Sequence, residues 1–464
     1  MKKSFIILVM ALCTTLSAAA QTSASLRTGY FQDRMYMRHT LNPALVNDFN
    51  YLAFPVLGGI GMEFNTNLGL NDFLFPSATD DSVLNTFLNS EVSNDEFLKG
   101  LNKLNTVSQS FDMELFGLGF YGFGGFNTLG ISLHEEASLV IPQDFFMLMK
   151  GGQSTYDLSN FGVNLNSYAQ VAFGHARKIN EKITVGVKLK ALVGLAYIDF
   201  HTDNTVLTMS DDEWKFSADG GGSIAALGMV FDLDDEDNLS YDEDAMPSIG
   251  GLGAAIDLGA SYEFNKNLTF SLAVTDLGFI SWRNVSSIGI TGGETTLLNY
   301  SDRLDMENLS DTFSDRLDGV SDDITEMMEV SDVETGNVKS VALAATITAG
   351  VEYSIWNDRV SLGLLSTTKF GTTTFAELMA VLDLNPLKCF EFSFSGAVST
   401  VGNYWGALFN FCPRGFVNFY LGTDCMITKV TPQMVPVNAT NVNFRMGMAI
   451  PLGGKKEHLD KHLN

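Results

Sequence analysis

The feature that most constrains this chain is a two-residue alternation of apolar and small or polar side chains, held over unusually long stretches. Across residues 182–199 one parity reads Ile183, Val185, Val187, Leu189, Ala191, Val193, Leu195 and Tyr197, all apolar, while the other begins Thr184, Gly186, Lys188 and Lys190. Successive side chains of an extended strand point to opposite faces, so the pattern describes a strand with one apolar and one polar face. A strand of a soluble domain averages about six residues, whereas a tilted membrane strand needs about 9–11 and projects further on either side. The pattern recurs at Leu52–Phe54–Val56 and Ile60–Met62–Phe64, at Ala254–Ile256–Leu258–Ala260–Tyr262, at Val341–Leu343–Ala345–Ile347–Ala349–Val351–Tyr353, at Phe390–Phe392–Phe394, and at Val442–Phe444–Met446–Met448–Ile450. A soluble sandwich or propeller is opposed by the length of the runs and by the small, polar second face, which suits a lumen. The expected fold class is all-β: a single antiparallel transmembrane β-barrel, closed because lipid leaves no partner for an open strand edge.

Charge sharpens this reading. The formal net charge is -26, yet the mean hydropathy is +0.11. Residues 232–244 hold eight acids and no base, and residues 294–334 hold thirteen acids against Arg303 and Arg316. The acidity therefore belongs to two segments, and no basic patch exists for nucleic acid. At the N-terminus, Lys2 and Lys3 precede a short apolar run, and Ala18-Ala19-Ala20 supplies small residues before Gln21. This reads as a secretory signal peptide cut after Ala20. Beyond it no apolar run is long enough for a membrane helix.

Polar turns join strand pairs at residues 178–182, 265–267, 356–359, 385–388 and 413–415. Outer-membrane barrels place short turns in the periplasm and long loops outside. Long extracellular connections are then expected near 65–109, 140–165, 232–250 and 291–338, with both termini periplasmic. Even parity leaves fourteen strands, or sixteen if residues 203–231 form an extra hairpin. Two loops carry helical patterns. In one, Phe313, Leu317, Val320, Ile324 and Met327 recur at helical spacing; in the other, a capping box of Ser93 and Glu96 precedes Phe97, Leu98, Leu101 and Leu104. The expected division is signal peptide 1–20, N-terminal extension or lumen plug 21–50, barrel 51–452 and periplasmic tail 453–464.

Several motifs carry a resemblance. Gly251-Leu252-Gly253-Ala254-Ala255-Ile256-Asp257-Leu258-Gly259-Ala260-Ser261-Tyr262 is followed by Asp276-Leu277-Gly278-Phe279-Ile280-Ser281-Trp282; Ile183-Thr184-Val185-Gly186-Val187-Lys188 lies upstream, and Leu41-Asn42-Pro43-Ala44 precedes the first strand. Over about residues 30–455 the chain resembles an uncharacterised Bacteroidetes-type outer-membrane barrel family, a domain of unknown function. That family is distantly similar to FadL-like transporters of hydrophobic compounds and to PorP/SprF-like barrels. The first likeness implies passive passage of a small hydrophobic molecule past an N-terminal plug with Asn42 and Pro43 in its turn; a plain periplasmic extension fits the same residues. The second implies an interaction barrel or secretion scaffold whose extracellular loops bind a protein. The polar tail from Gly453 departs from barrels that end on an aromatic residue. Outer-membrane lipid and lipopolysaccharide are the expected surroundings, the acidic loops meeting the latter through bridging cations.

Little in the sequence points to chemistry. The histidines His39, His134, His175, His201, His458 and His462 fall in no zinc-motif spacing. No Ser/His or Asp/His pair is singled out, so neither enzyme activity nor a cofactor is expected. Asp232, Asp234, Glu236 and Glu243 match positions one, three, five and twelve of a calcium-binding loop, but Asp237 stands where the loop needs glycine; a solvated acidic loop is the plainer reading. Cys389, Cys412 and Cys425 remain beyond the signal. A hairpin turning near Thr400-Val401 puts Cys389 opposite Cys412, where a disulfide is conceivable, while a one-residue slip separates them; free thiols are the default.

Overall fold

The computed structural model describes residues 25–453 except 78–83, 152, 211–212, 229–230, 234–238, 242–248, 299–329, 357–358, 372–373, 414–415 and 427–440. The wall is a closed antiparallel barrel of fourteen strands. They are β1 (Tyr51–Ala53 and Gly59–Thr66), β2 (Leu104–Gly122), β3 (Gly125–Pro142), β4 (Gly162–Lys178), β5 (Ile183–Thr202), β6 (Glu213–Ala226 and Gly251–Glu263) and β7 (Leu268–Leu298). There follow β8 (Val330–Ala342 and Thr346–Ile355), β9 (Val360–Lys369), β10 (Phe375–Leu387), β11 (Phe390–Ser399), β12 (Gly402–Phe411), β13 (Asn418–Thr423) and β14 (Asn441–Pro451). Closure runs through β14 onto β1, with Tyr51 opposite Pro451 and Ile60 opposite Met446. No described helix is long and apolar enough to cross a membrane.

The alternation sorts as its chemistry requires. Val185, Val187, Leu189, Leu258, Leu272, Leu362, Leu364, Phe394 and Trp405 are exposed on the outer face. Their neighbours of opposite parity, Lys188, Lys190, Asp257, Asp383, Ser393 and Ser395, are buried inside. Leu189 is 59% exposed while Lys188 is 5%. A soluble fold would reverse this order; a lipid-facing band demands it.

The long run on β5 does not stay on one face. Ser167 pairs with Ala196 but Tyr168 with Gly194, so Leu195 is a bulge residue. The extra residue turns Tyr197 inward, where it is 2% exposed.

The stretch 203–231 resolves the choice between fourteen and sixteen strands. Val206–Met209 forms a short rim strand that pairs with Thr155–Asp157 on one side and with the start of β6 on the other. Glu213–Ala226 is no additional wall strand. It is the upper half of β6, pairing with the upper ends of β5 and β7, and Gly251–Glu263 is the lower half in the same wall position. Residues 227–250 therefore interrupt a strand at mid-height, whereas a top loop was expected at 232–250. Their described part includes the two-stranded ribbon Phe231–Leu233 with Leu239–Tyr241.

Among the described residues, long connections lie at the ends opposite the short turns within 67–103, 143–161 and 203–212; of the connection expected near 291–338, residues 291–298 and 330–338 belong to β7 and β8, and 299–329 lie outside the described residues. Helix α1 (Asn94–Leu98) begins where expected, the Ser93 hydroxyl accepting from the Glu96 backbone N–H at 3.2 Å. It ends after five residues, and Leu104 already belongs to β2. A second helix, α2 (Gln143–Lys150), has no counterpart in the sequence reading. Phe87, Phe97, Phe146, Met147, Trp214 and Phe216 pack these loops into an apolar cap. The helical pattern over 313–328 lies outside the described residues, as do residues 1–24 and 454–464.

Candidate functional site

Residues 25–50 run through the inside of the barrel. Their contacts reach strands all around the circumference, which is possible only from the lumen. Arg27 Nε lies 3.1 Å from Glu377 on β10 and 3.5 Å from Asp424 beyond β13, and Arg27 Nη2 is 3.9 Å from Glu63 on β1. The Asp424 carboxylate also accepts the backbone N–H groups of Arg27 and Thr28 at 2.8 and 2.7 Å. Thr28 meets Ser395 and Gln32 donates to Ser393, both on β11. Tyr30 donates to Ser271 on β7, and Lys188 on β5 donates to the His39 carbonyl. Local hydrogen bonding gives the segment two short 3-10 turns, Arg27–Gly29 and Tyr36–Thr40.

Asn42 and Pro43 lie in the tightest part of this packing. The Asn42 side chain accepts the Ala44 N–H at 2.9 Å, closing an Asx turn, and donates to the Tyr30 hydroxyl at 3.0 Å. The turn rests on Gly186 of β5 and Gly259 of β6, which are paired across the two strands. A Cβ on Gly259 would stand 2.1 Å from Asn42 Oδ1, and one on Gly186 would stand 2.2 Å from the Pro43 carbonyl oxygen. Two motif glycines thus form the flat ground on which the turn lies.

Between this segment and the wall is a cavity of about 130 Å³. It is lined by charged groups from many strands: Asp112 and Glu114 on β2, His134 and Glu136 on β3, Lys188 and Lys190 on β5, Asp276 on β7, Lys369 on β9 and Arg445 on β14. Most are paired. Lys190 Nζ sits 2.8 Å from Asp257 and 2.6 Å from Asp276, Lys369 bridges to Glu136, and Arg445 Nη1 is 3.4 Å from Asp112. Buried charges persist only when compensated in this way. His39, from the N-terminal segment, closes one side. Its Nε2 lies 2.6 Å from the Tyr51 hydroxyl and its Nδ1 3.1 Å from Lys188 Nζ. Burial, and next the Lys188 charge, hold the His39 imidazole well below its usual pKa, so it is neutral.

One flank of the cavity is apolar. Tyr168 and Leu343 line it and belong to a cluster with Leu192, Tyr197, Ile280 and Trp282. Tyr197 and Trp282 stack at 5.3 Å, and the buried Trp282 Nε1 has no hydrogen-bond partner among the described residues. Here the wall is irregular. Thr275 and Asp276 together oppose Asp257, a bulge with Asp276 at φ 59°, and β8 breaks over 343–345 beside it. The Asp276-Leu277-Gly278-Phe279 motif is thus the site of a wall discontinuity.

The other singled-out residues lie elsewhere. Cys389 and Cys412 face each other in register, the Cys412 N–H donating to the Cys389 carbonyl at 2.9 Å, and both are free thiols. Asp232 is in the short ribbon, while Asp234, Glu236 and Glu243 lie outside the described residues. Among the described residues no group of three or more His, Cys, Asp or Glu side chains is placed to hold a metal. Sequence reading missed the Arg27 cluster and the charged cavity, because their members are separated by up to several hundred residues and share no local spacing.

Comparison with solved structures finds similar barrels. The Ralstonia pickettii toluene transporter TbuX aligns at 9% identity over 89% of this chain and 93% of its own, with a TM-score of 0.41. A Pseudomonas aeruginosa FadL homologue aligns at 9% identity over 94% and 99%, TM-score 0.42. The P. putida toluene transporter TodX aligns at 8% identity over 89% and 93%, TM-score 0.37. No curated protein matches the chain. A model of one protein family matches residues 43–424, from Pro43 through most of the barrel, and the chain therefore belongs to DUF5723, a family of unknown function.

Proposed function

We propose that this protein is an outer-membrane barrel that lets a small, largely hydrophobic molecule with a polar head pass passively, using residues 25–50 as a plug. The observation that carries this reading is the chamber itself. It lies between the N-terminal segment and the wall, and it meets the wall where β7 bulges and β8 breaks. A purely apolar cargo would strand the charged lining without water. A molecule with a polar end and an apolar body matches both sides, the paired charges of β2, β3 and β5 and the flank of Tyr168 and Leu343. Uptake of a labelled medium-chain fatty acid by cells with and without the protein tests this. The expected outcome is faster uptake with the protein, reduced when Leu343→Trp fills the flank. Equal uptake in the two strains removes the proposal.

The scaffold reading has one observation in its favour. β7 runs for 31 residues, far beyond a membrane strand, so that β6, β7 and β8 extend together above the barrel. Capture of a protein by the intact barrel, lost on deleting residues 299–329, would favour it.

A further inference from the structure

The lumen wall carries a Ser–His–carboxylate constellation that neither the family nor the passage reading assigns. Ser132 and His134 are two apart on β3 and share its inward face. Asp112 of β2 is the cross-strand partner of His134. Ser132 Oγ lies 2.8 Å from His134 Nε2, and His134 Nδ1 lies 2.5 Å from Asp112 Oδ1. A carboxylate only accepts, so Nδ1 carries the proton and Nε2 is left to accept from the serine hydroxyl. The second oxygen of Asp112 faces Arg445, and the His134 ring stacks on Tyr168 at 5.1 Å, so carboxylate and imidazole are each held in place from a second side. Gln170 Nε2 on β4 donates to Ser132 Oγ at 3.3 Å, so the hydroxyl too is held from a second side. All three members line the cavity, with His134 and Asp112 23% and 16% exposed.

We propose that this constellation is an acyl-transfer site, and that a small carboxylic ester reaching the chamber is hydrolysed there. Ser132 Oγ bonds to the ester carbonyl carbon while its proton passes to His134 Nε2. The C–O bond to the alcohol breaks, and that alcohol leaves with the proton from His134. Water then attacks the acyl-serine, gives its proton to His134, and Ser132 recovers it as the acid departs. Net consumption is one ester and one water, with no oxidant or cofactor. Asp112 sets the tautomer and steadies the imidazolium; Ser132 and His134 are the catalytic residues and Asp112 and Arg445 position them.

The test uses the full-length barrel in detergent, with heat-modifiable migration as the check that each variant is folded. A small alkyl fluorophosphonate should label Ser132, as located by peptide mass mapping. The label should vanish in Ser132→Ala and fall by about 100-fold or more in rate in His134→Asn and Asp112→Asn. Turnover of 4-nitrophenyl acetate should fall in parallel. A merely structural hydrogen-bond network would leave Ser132 unlabelled; absence of label in the folded wild type, or wild-type turnover within twofold of Ser132→Ala, overturns the proposal. Fatty-acid uptake is read separately, so either result can fail without the other.

Discussion

His39 shows how one side chain ties the N-terminal segment to the wall. It is neutral between the Tyr51 hydroxyl and Lys188 Nζ, while Glu114, Asp112 and Arg445 line the same cavity. Because its pKa is lowered when the segment is docked, the undocked segment binds more protons as pH falls. Docking strength is therefore fully present above about pH 6.5 and declines below it, by up to about 1.4 kcal/mol per pH unit. Limited proteolysis of residues 25–50 between pH 8 and pH 5 should show cleavage accelerating below about pH 6.5, and His39→Gln should flatten the profile; a profile unchanged by that variant would contradict the assignment. At this scale the sequence was partly legible. Asn42-Pro43 announces a turn through its own chemistry. Ser132, His134 and Asp112 do not announce each other, because their meeting depends on strand register. Gly122 pairs with Gly125 and Phe116 with Ile131, but a bulge at Leu115 shifts the pairing, so that Asp112 rather than Met113 faces His134.

Strands obey their pattern only between irregularities. The bulge at Leu195 on β5 lies level with the interruption of β6, whose halves end at Ala226 and resume at Gly251, opposite Ala196 and Gly194. Alternation finds a long strand readily; it does not say that two separate runs fill one wall position, since that is settled by which neighbours each run pairs with. The paired glycines of β5 and β6 make an element-scale prediction. Gly259→Val places a side chain into Asn42, an overpacking of about 1–3 kcal/mol. It should raise the protease susceptibility of residues 25–50 by roughly 5–150-fold, while the barrel keeps its heat-modifiable migration. Ala260→Val, on the exposed face of the same strand, should leave both unchanged. Equal susceptibility in the two variants would mean that the turn does not depend on that ground.

The molecule as a whole is a closed ring of antiparallel strands with residues 25–50 folded inside. Short turns gather at one end, with Asn50 and Gly453 hydrogen-bonded beside them, and the apolar cap of Phe97 and Phe146 gathers at the other. An epitope inserted after Asn89 should be reached by antibody on intact cells, and one after Asn180 only after the outer membrane is opened; the reverse labelling would invert the topology. The sequence by itself determined the class of fold, because a two-residue period of lipid-facing side chains over strands this long has one solution in a membrane, a closed barrel. It also located the acidity in two segments, since charge is a local property of residues. Tertiary structure alone decided the strand count, the inward turn of Tyr197, the packing of Asn42 on Gly186 and Gly259, and the charged chamber with Ser132, His134 and Asp112. Each of these rests on pairing between distant segments, where a single bulge reverses which face a side chain occupies, and no local pattern records where a bulge will fall.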